Sequence, residues 1–167
     1  LNSIQKLLSL SLNTWINFKN ISDLSSNLVS LDNIPERFKS IKDIQKTFVY
    51  CYFNSPKTDA MFEQLTSNPD VDFSRYIFFH LNYLISKKND KKIKKTFKSS
   101  LDRYPRNLVL NQLKLDLEKN IYNNKFDCRD RTEVIAEIFY IISNALAAQN
   151  NYILSNFYLN LAKYLNP

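Results

Sequence analysis

Glycine is missing altogether from this chain of 167 residues, where average usage would give about 12. Without it the chain cannot build a glycine loop that cradles phosphates, a nucleophile elbow or a dinucleotide fingerprint. Tight hairpin turns also lose their usual residue, which argues against an all-β fold. Proline is scarce, with five residues, and histidine and tryptophan occur once each. The two cysteines, Cys51 and Cys128, lie far apart without metal-ligand spacing, so the expectation is two buried free thiols. No run of eighteen apolar residues is present, so no membrane-spanning segment is expected. No metal and no cofactor is expected either, because nothing in the chain has ligand spacing.

What is present points to helices. Apolar residues make up 44% of the chain, enough for a sizeable core. Asparagine is abundant (Asn123-Asn124, Asn150-Asn151) and can take the left-handed conformation that glycine normally supplies at helix ends. Leu7, Leu8, Ser11, Trp15 and Phe18 share one helical face, and Phe38, Ile41, Ile44 and Phe48 another. Residues 72–86 and 91–104 read as an antiparallel pair turned at Asn89-Asp90, with Asp90 able to cap the second helix. A helix follows over 107–121, then a polar loop over 123–131. A final hairpin covers 132–149 and 152–165, started by Thr132 with Glu133 in its first turn. Four prolines punctuate the chain: Pro35, Pro69, Pro105 and Pro167, at intervals of 34, 36 and 62. A spacing of about 34, with proline after a second helix, marks a helix-turn-helix repeat.

Residues 136–167, "AEIFYIISNALAAQNNYILSNFYLNLAKYLNP", resemble one tetratricopeptide repeat. The family's large, aliphatic and small positions fall on Phe139, Ile142 and Ser143, then Ser155, Leu159, Ala162 and the closing Pro167. Segment 74–105 fits the same register with Ile77, His80, Leu84, Phe97, Ser100 and Pro105, but has large residues, Leu81 and Ile93, where the family prefers small ones. Segments 4–35 and 38–69 share only the period and the proline. The wording "AEIFYIISNALAAQ…NFYLNLAKYLNP" also resembles a group of multi-repeat tetratricopeptide proteins of alphaproteobacteria. The resemblance implies an all-α solenoid of four to five antiparallel hairpins wound as a right-handed superhelix. One repeat domain over 1–167 would then comprise units 1–35, 36–69, 70–105, an irregular 106–130 and 131–167. It also implies protein–protein contact and no catalytic residues. The chain begins at Leu1 and shows no signal peptide, so it reads as a piece of a longer repeat protein. It reads as soluble, with cytoplasm and periplasm both left open.

In such arrays the first helix of each pair lines a concave groove. Projecting the register places Lys39, Lys42 and Lys46, then Arg75, Phe78 and Asn82, then Tyr140 and Asn144 on that face. Lys, Arg and Asn side chains of this kind grip an acidic or C-terminal peptide in some family members. A basic patch is the other feature: Lys87, Lys88, Lys91, Lys92, Lys94, Lys95 and Lys98 with one Asp give +6 in twelve residues, out of +7 for the chain. Ile93, Phe97, Leu101 and Tyr104 line one face of that segment, which leaves the lysines as the solvated outer side of an amphipathic helix. His80 occupies a core position and reads as a packed, hydrogen-bonded residue. Trp15 reads as core. Asp127, Asp130, Glu133 and Glu137 read as caps and solvated charges beside Arg129 and Arg131.

The expectation is a non-enzymatic scaffold for a protein or peptide partner. Electrostatic binding of nucleic acid or anionic lipid by segment 87–98 is the alternative, and a purely structural spacer a third.

Overall fold

The computed structural model of the protein describes residues 3–16, 24–68 and 71–167. Among them are nine α-helices and no strand: α1 Ser3–Ile16, α2 Leu24–Asp32, α3 Lys39–Tyr52, α4 Thr58–Thr66, α5 Ser74–Ser86, α6 Asp90–Arg103, α7 Leu108–Glu118, α8 Arg131–Ala147 and α9 Tyr152–Leu165. The all-α class is therefore as expected. Phe18 and Pro69, used above for a helical face and for the period, lie outside the described residues. No helix among the described residues is long and apolar enough to cross a membrane.

Four helix ends show how a chain without glycine turns its corners. Asn54, Lys88, Asn120 and Asn150 have φ of 50°, 54°, 55° and 59°. At each, the next amide donates back to the carbonyl five residues earlier: Ser55 to Tyr50, Asn89 to Leu84, Ile121 to Asp116 and Asn151 to Leu146. This is the Schellman closure, built on asparagine in three cases and on lysine in the fourth. Asparagine tolerates the left-handed region because its short polar side chain bonds locally. In the α5–α6 and α8–α9 corners the following residue, Asn89 or Asn151, caps the next helix by accepting from the amide of Lys92 or Leu154. The cap of α6 is thus Asn89 and not Asp90. Asp130 caps α8 by accepting from the Thr132 amide, which starts that helix one residue earlier than expected.

The chain divides into two compact units, one of Leu1–Ser55 with Cys128–Pro167, the other of Pro56–Asp127. In the first, α8 and α9 form a close hairpin, while α8 also lies against α1 and α3, so packing is not confined to neighbours in sequence. Leu7, Trp15, Leu31, Phe48 and Ile138 are fully buried there. The Trp15 indole N–H donates to Gln45 Oε1 at 3.4 Å, and Gln45 Nε2 donates to Ser11 Oγ at 2.7 Å, which ties α1 to α3 through satisfied polar groups. In the hairpin, Ser143 and Ser155 face each other at 3.1 Å, both buried. Small residues at these facing positions let the two backbones approach.

Cys51 and Cys128 are not free thiols: they form a buried disulfide within the first unit. Their separation of 77 residues, which suggested independence, is the length of chain that leaves this unit and returns to it. Sequence distance therefore hid a spatial neighbour.

The second unit places Ile77 and Leu81 of α5, Phe97 of α6, and Leu110 and Leu113 of α7 in one core, with Ile93 packed against it. Leu81 and Ile93, the two departures from the repeat pattern, are thus used as apolar filling. After α7 the "polar" loop buries Phe126, stacked on Phe79 with centroids 3.8 Å apart.

Two outcomes test this account. Replacing Lys88 by asparagine should raise stability in urea denaturation by about 0.5–1 kcal/mol, because lysine has no local bond to offset the left-handed conformation, whereas Asn150→Ala should lower it by about 1 kcal/mol. Removing the disulfide with Cys51→Ser should cost about 2–5 kcal/mol, and the oxidised wild type, unfolded without reductant, should offer no thiol to an alkylating reagent.

Candidate functional site

The second unit contains a cleft of about 550 Å³ between α4, α5 and α6. Two of its lining residues, His80 and Lys92, are held by Asp59, in the first turn of α4, where a carboxylate is favoured by the helix dipole. Asp59 Oδ1 lies 2.6 Å from His80 Nε2 on α5, and its other oxygen pairs with the Lys92 ammonium on α6. One carboxylate therefore joins all three helices. His80 is buried, and Phe62 stacks flat on its ring at 5.0 Å. Burial pushes the imidazole down from 6.5 to about 4, with the Glu63 carboxylate opposing. The ring is therefore neutral at pH 7 and donates its Nε2–H to the carboxylate, which can only accept. His80 is thus packed and hydrogen-bonded, as its register position predicts.

Six of the seven lysines of the run are exposed, and Lys92 is half-buried. Lys91, Lys92 and Lys95 line this cleft, while Lys94 and Lys98 line a separate hollow beside α7 with Asp102, Lys114 and Glu118. The lysines of α6 occupy one continuous arc away from its apolar stripe, with Lys94 and Lys98 at the edge beside α7 and Lys92 at the other edge. Arg103, at the far end of α6, also reaches the cleft. Its guanidinium donates to the carbonyls of Thr66 at 3.0 Å, Asn68 at 2.5 Å and Val71 at 3.1 Å, which fixes the segment after α4. Lys91 and Lys95 make no ion pair among the described residues, and both are exposed. Four cations thus line the cleft with one carboxylate, Glu63, and counting Asp59, the partner of Lys92, leaves a net charge of +2. Sequence reasoning missed Asp59, Glu63 and Arg103 as members of this site. They sit on elements separated by tens of residues, and no local spacing signals the encounter.

The groove candidates fare differently. Lys42 pairs with Glu36 at 3.0 Å, Lys46 with Asp32 at 2.5 Å, and Lys39 approaches Glu36 at 3.9 Å. Lys42 holds the Glu36 carboxyl below its usual range, first by hydrogen bond and then by charge. Arg75 lies over the Phe79 ring at 5.0 Å, and Phe78 packs against the second unit's core. Asn82 is buried rather than on a surface. It donates to the Phe78 carbonyl at 2.7 Å and accepts from the Tyr122 hydroxyl at 2.6 Å, which anchors the segment after α7. Burial, aided by the Asp127 charge, pushes that phenol up to about 12. Tyr140 is half-buried on α8, and Asn144 is exposed.

Among the described residues no group of three or more His, Cys, Asp or Glu side chains is placed to hold a metal. Against protein-family models, curated proteins and solved structures the chain matches none.

The buried imidazole sets a pH dependence. Above pH 6.5 the ring is neutral in both folded and unfolded chains and has no effect. Below 6.5 the unfolded chain takes up a proton that the folded ring accepts only near pH 4, so stability falls as pH drops through that window. Between pH 6.5 and 5 the wild type should lose about 2 kcal/mol more than His80→Gln, read from urea midpoints.

Proposed function

We propose that this protein is a non-enzymatic interaction scaffold built from helical hairpins of the tetratricopeptide kind, which holds a helix of a protein partner. The observation behind this reading is the outer face of α9. Ser155 and Ala162, small residues, face α8, while Ile153, Phe157 and Tyr164 lie opposite them, 87%, 55% and 84% exposed. Tyr152 and Leu154 extend the same apolar surface. The helix has no acidic residue and a single lysine. Large aromatic and aliphatic side chains in one row are the chemistry of interface anchors, and such rows occur where a helix docks on a helix.

The scaffold role is the one the sequence suggested, but the contact energy moves. Lys42 and Lys46, the intended carboxylate grip, already have acidic partners. Such exposed pairs exchange readily but add little net affinity. The alternative of anion binding by the lysine run is favoured by the cleft of the second unit.

The test is co-purification from the native cell with wild type, Ile153→Ser/Phe157→Ser and Lys42→Glu/Lys46→Glu, followed by calorimetry on the purified partner. Loss of about tenfold or more in affinity for the α9 variant, with helicity unchanged, is the expected result. Full affinity in the α9 variant and loss in the lysine variant would return the contact to the groove.

A further inference from the structure

Lys91 and Lys95 are one helical turn apart on α6, point into the same cleft, and have no carboxylate partner among the described residues. We propose that this cleft binds a phosphoryl group, borne by a small soluble ligand or by a lipid headgroup. The inference is independent of the α9 face, which belongs to the other unit.

Several features favour phosphate chemistry. The volume of about 550 Å³ is that of a small-ligand site, too confined for a nucleic-acid duplex yet ample for one or two phosphoryl groups. A phosphoryl group brings up to two negative charges and three acceptor oxygens, which suits two ammonium groups with three donors each. The walls add hydroxyls from Ser67, Thr96 and Ser99, of which Ser67 and Ser99 now donate to the carbonyls of Gln64 and Thr96 and can turn toward an anion. The framework is fixed before any ligand arrives. Asp59 binds His80 and Lys92, and Arg103 binds three carbonyls, so two of the four cations hold the cleft in shape while the other two remain for an incoming charge. The neutral His80 adds no competing charge at pH 7.

The competing explanation is diffuse attraction to a basic surface, and the two hollows beside α6 separate the cases. Lys91→Ala/Lys95→Ala removes two charges from the cleft. Lys94→Ala/Lys98→Ala removes the same charge from the same helix on its other flank. Binding of inorganic pyrophosphate is measured by calorimetry at low salt on the full chain, with circular dichroism to confirm folding. Cosedimentation is measured with phosphatidylcholine vesicles containing phosphatidic acid. The proposal requires the cleft variant to bind at least tenfold more weakly than wild type, and the flank variant to change less than twofold, for at least one probe. A cleft-dependent response to pyrophosphate alone identifies a soluble ligand, and one to vesicles identifies a headgroup. Equal losses in both variants, no binding of either probe by wild type, or a single-stranded oligonucleotide binding more tightly than pyrophosphate with equal loss in both variants would overturn it.

Discussion

Four helix ends of this chain close through a residue with φ between 50° and 59°, a region that L-residues other than asparagine and aspartate resist. With glycine absent from the chain, each such corner depends on what replaces it. Asn54, Asn120 and Asn150 satisfy the demand through their own side-chain chemistry, and Lys88 does so against its preference. The consequence extends past the corner. In the α5–α6 turn the left-handed Lys88 delivers Asn89 to the capping position, and that cap sets the rotation at which α6 begins. The rotation decides that Lys91, Lys92 and Lys95 fall on the side facing α4 and α5. The same two-residue device at Asn150-Asn151 sets the rotation of α9, and so turns Ile153 and Phe157 outward.

Charge is then distributed in two contrasting ways. In the first unit, lysines of α3 meet carboxylates a few residues or one loop away, so Lys42 with Glu36 and Lys46 with Asp32 neutralise locally. In the second, Asp59 is shared between a neutral histidine and Lys92, and Lys91 and Lys95 line the cleft with Glu63 but form no ion pair among the described residues. A shared carboxylate in a half-buried place is worth more than an exposed pair, because water screens it less. The cleft therefore combines a well-held frame with unmatched charge.

Much of the fold is legible in the sequence because its determinants are local. Apolar residues at helical spacing gave α5, α6, α8 and α9 to within a few residues of their observed ends. His80 was legible for the same reason, since its neighbours in register are core. What was illegible is non-local. The link of Cys51 to Cys128 spans 77 residues, and the contact of Asp59 with His80 spans 21. Asn82 looked like a groove residue because its helical face was assigned from register alone. Its actual role depends on Tyr122, forty residues later. The cap Asn89 lies one residue before Asp90, the position chosen, and α8 starts one residue before Thr132, differences that periodicity cannot resolve.

The orientation of α9 follows from the same physics and explains why an interface reading is preferred there. A helix held by serine and alanine approaches its neighbour closely, but buries little apolar area, at roughly 25 cal/mol for each Å² removed from water. Most of its hydrophobic content faces outward, which is the reverse of the usual amphipathic arrangement. Rotating the helix by half a turn would bury Ile153 and Phe157, yet the Ser143–Ser155 contact and the Asn151 cap oppose that rotation. The apolar row is thus fixed outward by the close packing of the inner face, and the docking of a second helix proposed above would remove it from water. Little reordering of α9 would then be needed, and preorganisation of this kind reduces the entropy lost on association.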